Sequence, residues 1–77
     1  MTLHKIDTLL HEMIEHQERK VLELARLRNP HVTLDDLLNP HDFGHLAADP
    51  IFQYEDGITC GLRTAHAALR RELSNGV

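Results

Sequence analysis

The chain of 77 residues has one cysteine, three aromatic residues and no tryptophan. A single thiol, Cys60, excludes an internal disulfide. With only Phe43, Phe52 and Tyr54 as aromatics, a core must be assembled from Leu, Ile, Val, Ala and Met. A domain this small sits near the lower limit for one hydrophobic core and often needs a disulfide, a metal or a second chain. With the disulfide excluded, self-association is the expected remedy. Apolar runs approaching the ~18 residues of a membrane span are missing too, as is a secretory leader, since Leu3-His4-Lys5-Ile6-Asp7 is too polar for one. A lone thiol without either segment predicts a cytoplasmic protein that does not enter a membrane.

Positive charge is missing from one long stretch. Between Arg28 and Arg63 there is no Lys or Arg, whereas Asp35, Asp36, Asp42, Asp49, Glu55 and Asp56 lie there with His31, His41 and His45. The net charge of −4 argues against nucleic-acid binding, and its concentration in the middle predicts a cation or a basic protein surface as partner.

Proline is equally sparse but ordered. All three prolines follow an Asx residue, at Asn29-Pro30, Asn39-Pro40 and Asp49-Pro50. An Asx side chain accepts hydrogen bonds from amides just ahead, and proline suits a first helical position while excluding an interior one. No hydrophobic pattern repeats with these steps, so they read as punctuation. They leave a long segment before Pro30 and another after Pro50.

In the first segment, Leu3, Ile6, Leu10, Met13, Val21, Leu24 and Leu27, flanked by Leu9 and Ile14, occupy one arc of a helical wheel. Thr2 is the expected N-cap, and Arg26 and Arg28 suit the negative end of the dipole. The spacing predicts a helix over 3–28. In the last segment, Asp49 caps, Pro50 fits the first position, and Ile51, Tyr54, Ile58, Leu62, Ala65, Leu69 and Leu73 form a stripe in phase through Gly57, predicting a helix over 50–74. The connector, 29–49, is expected to hold a short helix with Thr33 as N-cap and Asp36 in the capping-box position, then one more turn over Asn39–Gly44. The fold class is therefore all-α: an antiparallel hairpin of two long helices in a single domain, dimerising into a four-helix bundle.

Histidine is in excess, at seven residues. The string His11-Glu12-Met13-Ile14-Glu15-His16 resembles a zinc-protease helix but fails, because its histidines are five apart where a shared helical face needs four. His41 and His45 do have that spacing, and with Asp49 or His31 they would complete a Zn or Ni site. The competing reading is that each local acid caps a turn.

Gly57, Gly61 and Ala65 recur every four residues and allow helix backbones to approach closely. Gln17 falls inside the apolar arc of the first helix. Either it pairs across a dimer axis, as a register-fixing polar core residue does, or the arc opens to water at that level. The residues expected at an interface are Leu3, Ile6, Leu10, Met13, Gln17, Leu24, Ile58, Gly61, Leu62, Ala65 and Leu69.

Cys60 shares its face with no histidine. The sequence shows no nucleophile motif, phosphate loop or paired acid and base. The densest cluster of unusual residues, Asp49 to Gly57, carries no activity that can be named. The expectation is a non-enzymatic interaction or regulatory module that presents its acidic connector to a partner. The alternative is a transition-metal binder or sensor built on the connector histidines.

Overall fold

A computed structural model of the chain describes residues 2–38 and 44–75. Among them every regular element is helical: α1 (Leu3–Arg28), α2 (Leu34–Leu37), α3 (Gly44–Ala47) and α4 (Pro50–Ser74). The 26 residues of α1, at ~1.5 Å each, account for most of the 44 Å long axis. Asp7 bonds His66 near one end of the pair and Arg28 bonds Asp49 at the other, so α1 and α4 run antiparallel.

Local chemistry sets the ends of the elements as the sequence predicts. Thr2 accepts from the Lys5 amide at 3.1 Å to cap α1, and Arg26 and Arg28 occupy its last turn. Asn29 ends α1 with its amide still bonded to the Ala25 carbonyl at 2.9 Å. Thr33 and Asp36 form a reciprocal capping box, with the Thr33 amide donating to Asp36 Oδ2 at 2.9 Å and the Asp36 amide to Thr33 Oγ1 at 3.3 Å. Asp49 Oδ1 accepts from the Ile51 and Phe52 amides, and Pro50 opens α4. Gly57 does not interrupt α4. The turn expected over Asn39–Gly44 falls on 39–43, outside the described residues, except that Gly44 opens α3.

The core lies at the connector end. Val21 and Ala25 from α1, Phe52 from α4, and Val32, Leu37 and Leu46 from the connector form one buried cluster. Leu46 and Val32 are the largest fully buried side chains. Connector backbone is tied over this cluster, with Arg26 Nε donating to the Val32 carbonyl at 3.0 Å and Gln53 donating to the Ala47 carbonyl. The connector thus closes one end of the hairpin and supplies half of its core.

Candidate functional site

The α1–α4 seam uses a different rotation of α4 from the one its apolar stripe predicts. The residues turned toward α1 are Phe52, Glu55, Thr59, Leu62, His66, Leu69 and Leu73, all buried or half-buried and spaced alternately three and four apart. That is the spacing of a coiled-coil seam. Ile51, Tyr54 and Ile58, predicted to share one buried stripe with Leu62 and Leu69, are instead exposed, Tyr54 at 69%. Burying Glu55 and His66 in the seam requires partners, and α1 supplies them at matching levels.

Gln17 is the first. It is buried, and its Nε2 donates to Glu55 Oε2 at 2.8 Å and to the Glu55 carbonyl at 3.0 Å. The expectation that this amide pairs across a dimer axis is thereby corrected, and so is the alternative that the arc opens to water there. The amide is used inside its own chain. Glu55 is only 7% exposed and also receives Lys20 Nζ at 3.1 Å. The Gln17 bond first, then Lys20, hold its carboxyl below the ordinary carboxylate range against the opposing effect of burial. Thr59 completes the layer by donating to the Glu55 carbonyl at 3.1 Å.

The second polar layer lies toward the open end. His66, with a side chain 13% exposed, donates from Nε2 to Asp7 Oδ1 at 2.8 Å, and Arg70 Nε donates to the same oxygen at 3.3 Å. Burial pushes the Asp7 carboxyl up, but the His66 and Arg70 hydrogen bonds and charges outweigh it and leave the carboxyl lowered. His11 stands beside the His66 ring, with centroids 6.1 Å apart, and bonds Glu15 at 2.6 Å. Among the described residues no buried side-chain polar atom lacks a partner, so both layers are satisfied and act as structure.

These layers fix the register. Sliding α4 by one heptad would set Gln17 against Leu62 and Glu55 against Leu10 or Leu24. A carboxylate against leucine without its bonds is strongly disfavoured.

The residues expected at an interface divide between two surfaces. Gln17, Leu10, Leu24, Leu62 and Leu69 are buried or half-buried in or beside the intrachain seam, and Ile6 is half-buried at its edge. Leu3, Met13, Ile58, Gly61 and Ala65 are exposed. No atom of another residue lies within 4 Å of where a Cβ would stand at Gly57 or Gly61, beyond their own helical backbone. The small residues therefore do not serve the α1–α4 contact.

On an ideal wheel of ~100° per residue, Leu9, Met13 and Leu27 are displaced from the α1 contact line in the same rotational sense as Tyr54, Ile58 and Ala65 from that of α4. In an antiparallel pair, equal senses place both sets on one side. The outcome is one open side of the hairpin that carries these apolar residues, with Lys20 between Met13 and Leu27 on the same side; at its connector end, Leu24, Leu27 and Ile51 line a common depression. The opposite side carries the Glu18–Arg63 bridge at 3.0 Å and, at the connector end, a groove between α1, α2 and α4.

No family model matches this chain, and neither a curated protein nor a solved structure does. Function must be read from these surfaces.

The metal alternative rests mainly on side chains outside the described residues. His41 lies outside the described residues, and of His45 only the backbone, in α3, is described. His31 is exposed. Asp49 is occupied on both oxygens, Oδ1 by the α4 cap and Oδ2 by Arg28 at 3.2 Å. Among the described residues no group of three or more His, Cys, Asp or Glu is placed to hold a metal ion, and no helix is long and apolar enough to cross a membrane.

Sequence reasoning missed the Gln17–Glu55 and Asp7–His66 layers. Their signal was present in the three-four spacing of Phe52, Glu55, Thr59, Leu62, His66 and Leu69. The separations, ten residues from Asp7 to Gln17 and eleven from Glu55 to His66, also match across an antiparallel pair.

Proposed function

We propose that this chain is a non-catalytic, homodimeric interaction module of the cytoplasm, whose acidic connector receives a basic protein partner. The observation that carries the dimer is the rotation of α4. The chain buries a seam containing Glu55, Thr59 and His66 while leaving Ile51, Tyr54 and Ile58 beside Leu9, Met13 and Leu27 in the open. A helix pair turned this way has its better apolar face free for a second copy. Joining two such faces produces a four-helix bundle with α1 and α4 of each chain in both layers. Gly57, Gly61 and Ala65 border that face and permit close approach of the copies. The exposed Cys60 suits a reducing compartment.

The connector reading rests on charge. Asp35 in α2 and Asp56 in α4 line one groove, in the stretch without Lys or Arg. Sedimentation equilibrium at tens of micromolar tests the dimer. The wild-type chain is expected at twice its mass, and Met13→Glu/Ile58→Glu at the monomer mass with its helical circular dichroism retained. A wild-type monomer at that concentration, or a double variant still dimeric, would refute this arrangement.

A further inference from the structure

The groove on the side away from the open apolar face has a floor of Val21 and Leu37 and walls formed by Leu34 and Leu38. Val21 and Leu37 are buried, whereas Leu34 and Leu38 stay exposed, Leu38 at 63%. Its volume is about 230 Å³, below the ~300–1,000 Å³ typical of small-molecule sites. That size suits an inserted side chain or two from a protein segment. The rim is acidic: Asp35 on the α2 side and Asp56 on the α4 side. Among the described residues that line the groove the one cation, Arg63, is already bridged to Glu18 at 3.0 Å. Apolar walls with a carboxylate on each side complement a segment with one apolar anchor flanked by Lys or Arg.

We infer that this groove, built by α2 on the α1–α4 seam, is the docking site for a basic peptide segment that inserts an aliphatic side chain between Leu34 and Leu38 and sets positive residues against Asp35 and Asp56. This rests on the proposed role of the acidic connector and gives that role a location and a ligand chemistry. The groove lies opposite the open apolar face, so a dimer formed through that face displays two grooves outward. A partner with two such segments would gain from linked binding.

The test is NMR titration of the ¹⁵N-labelled full chain at low salt with a capped 12-residue peptide of alanine and lysine carrying one central leucine. Two further peptides replace that leucine with serine or every lysine with glutamate. The expected result is saturable shifts at the amides of Leu34, Asp35, Leu37, Leu38, Asp56 and Thr59. The serine peptide should bind about tenfold or more weakly, as losing a buried leucine side chain implies, and the glutamate peptide should not bind. Leu38→Glu and Asp56→Lys, both on accessible positions, should each weaken the leucine peptide about tenfold without changing the chain's helicity or mass.

If both lysine peptides bind equally and either variant binds as the wild type does, the groove is wrong while the acidic connector keeps its basic partner. If neither lysine peptide shifts any connector amide at millimolar concentration, the groove and the connector reading fall together.

Discussion

Removing the side chain of Asp49 should separate two contributions that meet on one carboxylate. Oδ1 caps α4 through the Ile51 and Phe52 amides, and Oδ2 bridges to Arg28 at 3.2 Å, joining the end of α1 to the start of α4. An N-cap of this kind contributes about 1 kcal/mol. A bridge to an Arg side chain that is 59% exposed contributes ~0–1 kcal/mol after solvent screening. Asp49→Ala should therefore cost about 1–2 kcal/mol. Asp49→Asn keeps a capping oxygen and should cost no more than the bridge, ~0–1 kcal/mol.

The assay is urea unfolding followed by circular dichroism at fixed protein concentration, since self-association as proposed would make stability vary with concentration. With a slope near ~1 kcal/mol per molar urea for a chain this short, the alanine variant's midpoint should fall by roughly 1–2 M. A cycle with Arg28→Ala isolates the bridge, and its coupling should vanish in ~1 M salt while the cap contribution persists. If Asp49→Asn proves as destabilising as Asp49→Ala, the capping argument fails. If Zn²⁺ stabilises the wild type and this response disappears in Asp49→Asn, the carboxylate is a metal ligand and its assignment to cap and bridge is wrong.

Three other perturbations follow from the packing. Leu46→Ala empties the centre of the connector-end core, where Leu46 is 1% exposed, and should cost about 2–5 kcal/mol; a thermal midpoint within a degree of wild type would show that α3 does not close the hairpin. Gln17→Leu strips the amide from the buried Glu55 carboxylate and should lower the thermal midpoint by several degrees at neutral pH with the sedimenting mass unchanged. A changed mass would return Gln17 to a dimer axis. Asp7 and Glu55 both have carboxyls held lower in the folded chain than in the unfolded one, so the unfolded state takes up their protons first. Their stabilisation is present above the ordinary carboxylate range of about 4 and is lost as pH falls through and below it; in acid titrations, Asp7→Asn and Glu55→Gln should each flatten that loss, and an unaltered profile would count against the layers.

The two polar layers give the seam its specificity. Fully apolar seams pair equally well in several registers, whereas Gln17 must find Glu55 and Asp7 must find His66. Side chains 38 and 59 residues apart in sequence thus set one alignment, and that alignment determines which face remains for other molecules. The acidic groove and the open apolar face are both consequences of it. Neither would exist if α4 were turned to bury Ile51, Tyr54 and Ile58.

The two long helices, α2 and their limits were written in the sequence, whereas α3 over Gly44–Ala47 was not among the expected elements. Thr2, Thr33 with Asp36, Asn29 and Asp49-Pro50 act through hydrogen bonds spanning two to four residues, so their meaning does not depend on distant chain. Helical periodicity supplied the two long helices for the same local reason, and their like length with a connector between them implied the antiparallel return. The rotation of α4 was decided only in the tertiary structure. A helical wheel treats Glu55 and His66 as solvent-facing, because it cannot register that Gln17, Lys20 and Asp7 wait opposite to satisfy them. The free energy of burying a polar group depends on that partner, and the partner is supplied by the fold.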